Sequence, residues 1–205
     1  NKAIVPLAEK EVTYTPLGSD CQLRLSIAII KNYLCRPTRN GRLCSDADAL
    51  RFMMLCRARA LDPFQGDAYL VGYDTKDGPE FNLITGHKAF LKRDEVNPDD
   101  DGMTSGVIVE DKDGQIVERS GDFHLDSDHL LGAWAMVYLK NRKWPSTERL
   151  RLAAFDKGQS RWQNDAAGMI VKCAEASALR KAFPTKLGGL YAHGEVPPAE
   201  APDIS

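Results

Sequence analysis

Ala68-Tyr69-Leu70-Val71-Gly72-Tyr73, then Asp74-Thr75-Lys76-Asp77-Gly78-Pro79, then Phe81-Asn82-Leu83-Ile84-Thr85 is the stretch that decides the fold class. Two runs rich in aromatic and β-branched residues flank a cluster of turn formers, and that order predicts a β-hairpin. Just upstream the period is helical. Ser45 followed by Asp48 makes a capping box with Asp in place of Glu, and Ala49, Met53, Cys56 and Ala60 supply a buried stripe. Pro63 disfavours the α conformation at Asp62, so this helix stops near Leu61.

Farther upstream, Leu23, Ile27, Ile30 and Leu34 recur at i, i+4, i+7 and i+11, which predicts a helix over Cys21–Leu34 with Asp20 as N-cap and Pro37 beyond its end. A basic loop (Arg36, Arg39, Arg42) separates the two helices. Residues 1–20 are polar and punctuated by Pro and Gly, an arm or edge strand. Downstream of the hairpin, His87–Arg93 reads as a short helix. A second hairpin, Gly106–Val109 with Gln115–Glu118, turns on Asp111-Lys112-Asp113-Gly114. Leu131–Lys140 and Arg149–Phe155 read as strands, and Gly168–Ala182 as a helix with Val171, Ala174, Ala178 and Ala182 on one side, ended by Pro184. Val196-Pro197-Pro198-Ala199-Glu200-Ala201-Pro202 reads as an extended linker. The expectation is an α+β fold with one compact core over residues 21–191, its antiparallel or mixed sheet built from hairpins packed against helices, an arm at 1–20 and a linker at 192–205.

Composition narrows the class. No apolar run approaches the length of a membrane span and the first residues carry no signal pattern, so a cytoplasmic protein is expected. Five cysteines without Cys-x-x-Cys spacing predict reduced, mostly buried thiols. The net charge of −2 hides a strong polarity. Residues 94–128 hold twelve carboxylates against Lys112 and Arg119, a local −10, whereas residues 138–181 hold ten bases against four acids, a local +6. A polyanion responds to the local field, so a chain of this kind can present a basic face to phosphate.

Candidate chemistry follows from spacing. Pro98-Asp99 with Glu110-Asp111-Lys112 mimics a nuclease pattern in which Asp99 and Glu110 hold Mg²⁺ and Lys112 orients the attacking water. That chemistry needs the lysine on a rigid strand, and Lys112 falls in a turn. His124, Asp126 and Asp128 would share a face of an extended segment and could touch one cation, although charge-rich stretches between strands are usually solvated loops, and no metal is expected. No Gly-x-Ser-x-Gly elbow, Gly-x-x-x-x-Gly-Lys-Ser/Thr loop or Gly-x-Gly-x-x-Gly motif occurs, so hydrolase, NTPase and dinucleotide readings lack their parts. The positive signal is a set of bases interleaved with aromatics: Lys140, Arg142 and Lys143 before Trp144; Lys157 and Arg161 before Trp162 and Gln163; Lys172, Arg180 and Lys181 in the last helix. Bases meet successive phosphates and rings stack on bases of any sequence. A solvated basic face and core tryptophans would look the same.

Three segments carry a family resemblance: Leu55-Cys56-Arg57-Ala58-Arg59-Ala60-Leu61-Asp62-Pro63-Phe64, Gly66-Asp67-Ala68-Tyr69-Leu70-Val71 and Ile84-Thr85-Gly86-His87-Lys88-Ala89-Phe90. Trp162-Gln163, Met169-Ile170, Lys172-Cys173-Ala174, Leu179-Arg180-Lys181-Ala182-Phe183-Pro184 and Gly189-Leu190-Tyr191 continue it. In this order, over Ser45 to Tyr191, the chain resembles the RecT/Bet family of phage single-strand annealing recombinases. The resemblance implies a core distantly similar to Rad-type annealing proteins that assembles into rings or helical filaments. It implies annealing of complementary DNA strands without ATP, with Mg²⁺ at most a modulator, as a DNA-binding protein without an ATPase or nuclease site. It also implies a phage 5′→3′ exonuclease and the host single-strand-binding protein as partners. By position, Arg180 and the groups around Lys172 correspond to family DNA contacts, Trp162 and Gln163 begin that segment, and His87 and Lys88 lie near the strand. Where a phage member of that family carries lysine and arginine between the Trp-Gln pair and the helix, this chain has Asn164-Asp165-Ala166-Ala167-Gly168, with Arg161 or Lys157 as substitutes. The family's C-terminal partner-binding domain is absent from the 205 residues. A protector that coats single strands without annealing them is the other reading.

Overall fold

The computed structural model describes residues 11–156, 158 and 160–191. Lys157 and the linker at 192–205 lie outside them, as does the first half of the arm. The α+β class is as the sequence predicts, and the chain divides into two compact units, one running to Lys92 and one beginning at Arg93.

In the N-terminal unit, β1 (Glu11–Tyr14) pairs antiparallel with β2 (Leu23–Ser26). This corrects the helix expected over Cys21–Leu34. Leu25, which the helical stripe left out, is the fully buried residue of β2, and of the expected stripe only Ile30 is buried. Strand pairing satisfies the backbone here, and Arg24 on β2 is tied across the pair to Glu11. Ile27 and Ile29 are β-branched and propagate helix poorly. Helix begins only at α1 (Ile27–Ile29), where Ser26 and not Asp20 is the cap, accepting from the Ile29 amide at 3.2 Å. A π-helical turn (Ile30–Leu34) leads into β3 (Cys35–Arg36).

The capping box forms as read: Ser45 Oγ accepts from the Asp48 amide at 3.1 Å and the Asp48 carboxylate accepts from the Ser45 amide at 3.0 Å, starting α2 (Asp46–Ala58). Ala49, Phe52, Met53 and Cys56 form its buried face. The segment after it turns on two buried carboxylates. Asp62 Oδ1 accepts from the amides of Phe64 (3.0 Å) and Gln65 (3.2 Å), while Asp67 accepts from the Asp62 amide (3.0 Å) and pairs with Lys92 (2.9 Å). The predicted hairpin follows as β4 (Ala68–Thr75) and β5 (Gly78–Thr85), in register from Ala68↔Thr85 to Thr75↔Gly78, with β3 parallel to β4 on its other side. α3 (His87–Glu95) comes next.

The C-terminal unit is a four-stranded antiparallel sheet in the order β7-β6-β8-β9, made of β6 (Asp100–Glu110), β7 (Ile116–Ser120), β8 (His129–Leu139) and β9 (Ser146–Arg151). The strand expected over Arg149–Phe155 changes at Leu152, where its alternation ends, into the single helical turn α4 (Leu152–Phe155). A 3₁₀ turn (Ser160–Gln163) precedes α5 (Ala166–Ala182), and α6 (Pro184–Leu187) starts on the proline that ends α5. α5 covers one face of the sheet: Val107, Ala133, Ala135, Val137 and the α5 residues Ile170, Cys173, Ala174 and Ala178 are fully buried. Ser105 on β6 bonds Glu175 of α5, which fixes that face. Among the described residues no helix is long and apolar enough to cross a membrane.

Candidate nucleic-acid interface

The register of β8 and β9 sorts the basic residues. Glu148 lies opposite Ala135 and therefore faces α5, where its carboxylate takes Lys181 Nζ at 2.8 Å; the same ammonium donates to the Thr147 carbonyl at 3.1 Å. Arg149 and Arg151, one position out of phase, lie on the opposite face of the sheet. Arg149 is answered there by Glu118 of β7 at 2.7 Å, whereas Arg151 is exposed.

α5 starts at the end of the sheet where β9 finishes, and it runs back toward the β8–β9 connection, as the contact of Lys181 with Thr147 requires. Its 17 residues span about 25 Å. The residues expected to form one site are thereby split. At one end stand Lys140, Arg142, Lys143 and Trp144 in the connection, with Lys181 at the helix end. Lys186, which sequence reading passed over, joins them: its Nζ donates to Asn97 Oδ1 at 2.6 Å while Lys140 Nζ donates to the neighbouring Pro98 carbonyl at 3.0 Å. Trp144 is 74 % exposed, with Lys143 Nζ 5.3 Å from its ring centroid. An exposed indole held beside cations is what sequence-tolerant base stacking uses.

Arg161, Trp162 and Gln163 stand at the other end. Trp162 is only 6 % exposed, so its ring belongs to the core and offers no stacking face; Trp134 is buried as well. Gln163 Nε2 donates to the Gly158 carbonyl at 2.7 Å. Asp165, in the stretch that departs from the family, caps α5 by accepting from the Gly168 amide at 3.0 Å and pairs with Arg161 at 3.2 Å. A carboxylate here supports the helix N-terminus and offsets the arginine meant to substitute for the family's bases. An open cleft of about 630 Å³ lies alongside, walled by Phe123, His129, Leu130 and Leu152 with Asn164 and Asp165.

Lys172 sits half-buried in mid-helix. Arg180 is also half-buried: its guanidinium donates to the Leu190 carbonyl at 3.3 Å and lies 5.2 Å from the Tyr191 ring, so it secures the segment after α6. His87 (half-buried) and Lys88 (exposed) open α3 in the N-terminal unit, and Lys157 lies outside the described residues.

The alternative chemistries do not assemble. Asp99 directly precedes β6 and Glu110 ends it, so the two carboxylates intended for one Mg²⁺ are about 30 Å apart along an eleven-residue strand, with Lys112 exposed in the turn beyond. Of His124, Asp126 and Asp128, the last is engaged elsewhere. Its carboxylate accepts from the Leu125 amide at 3.0 Å and pairs with Arg119 at 3.0 Å, and these contacts hold its pKa below the usual carboxylate value. Among the described residues no group of three or more His, Cys, Asp or Glu side chains is placed to hold a metal ion.

Compared with known families, residues 22–204 match the model of the RecT family. No curated protein matches the chain.

Proposed function

The chain belongs to the RecT family, whose members bind single-stranded DNA, oligomerise and anneal strands in phage-type recombination, and from that premise we propose that it anneals complementary strands without ATP, several copies holding one strand by its phosphates. The observation that carries this is the basic end of the C-terminal unit. Arg142 and Lys143 are exposed around the open Trp144 ring, next to Lys140, Lys181 and Lys186. Cations would fix the backbone while base edges stay free to sample a complement, so pairing itself supplies specificity and affinity should be indifferent to sequence. No phosphate-cradling nucleotide loop occurs in the 205 residues, which accords with binding energy alone driving the reaction. In this scheme Lys172 extends the track along α5, and Arg180 acts by holding the last segment in place. A 5′→3′ exonuclease that exposes the strand and a single-strand-binding protein that covers it are the partners such a reaction calls for.

Mixing complementary labelled oligonucleotides with the protein, with and without ATP and Mg²⁺, tests the proposal. Duplex should form faster than in its absence, equally well without nucleotide, with strand lengths unchanged. Strands retained single would make the protein a protector, and shortened strands a nuclease; either outcome overturns the annealing function.

A further inference from the structure

The N-terminal unit carries a second basic feature, ahead of the segments Leu55 to Phe90 that carry the family resemblance. Between β3 and α2 the chain makes a turn whose geometry is fixed from within. The Thr38 amide donates to the Arg42 carbonyl at 3.0 Å, the Gly41 amide to the Thr38 carbonyl at 2.9 Å, and the Asn40 amide to the Asp74 carboxylate at 3.0 Å. Gly41 takes the left-handed conformation (φ +77°) that the reversal needs. Thr38 is buried (3 % exposed) against β4, in space that exists because residue 72 is glycine: a Cβ there would stand 2.9 Å from the Thr38 methyl and 2.5 Å from the Phe81 ring. At the base the Cys35 thiol bonds that of Cys44, whose pKa burial pushes up to about 12, so it stays a neutral thiol.

This rigid turn presents Arg36, Arg39 and Arg42, all exposed. None of the three forms an ion pair among the described residues, in contrast to Arg24, Arg119, Arg149 and Arg161. Arg36 instead lies 4.6 Å from the Tyr69 ring centroid. Tyr33, three residues before Arg36, is 78 % exposed. Unpaired guanidiniums on a preorganised backbone, preceded in the chain by an exposed ring, carry the chemistry of a phosphate site with a stacking platform. Preorganisation matters because the turn loses little entropy when a strand binds.

We propose that the Arg36–Arg42 turn is a second single-stranded DNA site, holding the backbone through Arg39 and Arg42 with Tyr33 against a base. It belongs to the N-terminal unit, whereas the basic end described above belongs to the C-terminal unit, and it rests on the reading of the protein as an annealing factor. A protein that brings two strands together gains from a second place to hold phosphate.

Anisotropy of a labelled oligothymidylate, titrated at several salt concentrations, tests it. The Arg39→Ser/Arg42→Ser variant should lower the slope of log affinity against log salt by about 1.4, at roughly 0.7 for each single-strand phosphate that is no longer neutralised. The charge-matched Arg51→Ser/Lys112→Ser variant should leave the slope unchanged. Tyr33→Ala should weaken binding roughly tenfold with the slope intact, because stacking releases no counterions. An unaltered slope in the double arginine variant overturns the site. If that variant keeps its slope but loses self-assembly in sedimentation, the turn docks a second copy instead. No binding by the unsubstituted protein would overturn the annealing function and the turn with it.

Discussion

The turn at Arg36–Arg42 and the segment from Lys140 to Lys181 are both dense in bases, yet their charge is available in different measure. In the C-terminal segment Lys181 answers Glu148, Arg161 answers Asp165 and Arg149 answers Glu118, and Lys140 donates to a carbonyl. In the turn no arginine is answered by a carboxylate among the described residues. Positive charge counted along a chain is therefore a poor measure of positive field. Strand register decides which bases meet acids, and what remains for a phosphate is the uncompensated fraction.

The aromatic residues give the largest test of that contrast. If the C-terminal segment uses Trp144 for DNA and Trp162 for its core, the two alanine variants must separate. Trp162→Ala should cost about 3–5 kcal/mol of stability, as buried aromatics do, and Trp144→Ala less than about 0.5 kcal/mol. Binding should behave in the opposite way, Trp144→Ala weakening single-strand affinity while the protein stays folded. Denaturant midpoints alongside anisotropy measure both. A fold indifferent to Trp162→Ala would show that the ring is not a core element and would restore it as a stacking candidate.

The acidic stretch offers a smaller effect, from a buried carboxylate with another carboxylate as its neighbour. Asp94 is buried, and burial first and the neighbouring Asp100 second push its pKa up to about 6. A pKa raised in the folded state gives a contribution that is full below the unfolded carboxylate value near 4 and is lost as pH rises through about 6. Asp94→Asn should therefore stabilise the protein by about 1–2 kcal/mol at pH 7.5 and by little at pH 4.5. Unfolding curves at the two pH values check it. Equal gains at both would mean that Asp94 does not change protonation on folding.

How much of this is legible in the sequence follows from how local each signal is. The capping box at Ser45 and Asp48, both hairpins and α5 rest on neighbours within a few residues, and all appear where the sequence puts them. The Cys21–Leu34 segment misleads because its decisive partner is β1, which satisfies β2 through hydrogen bonds that no spacing within the segment reveals. For the site, the basic composition is visible and its division is not. Arg161, in the turn before α5, and Lys181, in the last turn of α5, are twenty residues apart, and Glu148 reaches Lys181 only because β9 lies under α5. Lys186 escapes notice because its neighbour Asn97 is remote in sequence. Much of the family resemblance also proves structural. Asp62 and Asp67 organise the turn into β4, and Arg180 fastens Leu190.

The smallest test addresses compensation itself. Lys181 is 58 % exposed and within reach of solvent phosphate, while Glu148, 23 % exposed, holds its ammonium at 2.8 Å. A carboxylate and a phosphate compete for the same cation, so Glu148→Gln should free Lys181 and raise affinity for single strands at low salt. The salt slope should steepen by up to about 0.7, one further phosphate neutralised, and stability should change by less than about 1 kcal/mol because the pair is largely solvated. The substitution strengthens binding by removing an acid, which no count of basic residues would suggest. If the slope does not move, Lys181 lies off the strand's path, and its pairing with Glu148 serves only to fasten α5 to β9. If the slope steepens, the C-terminal segment differs from the arginine turn in compensation alone, and one amide narrows that difference.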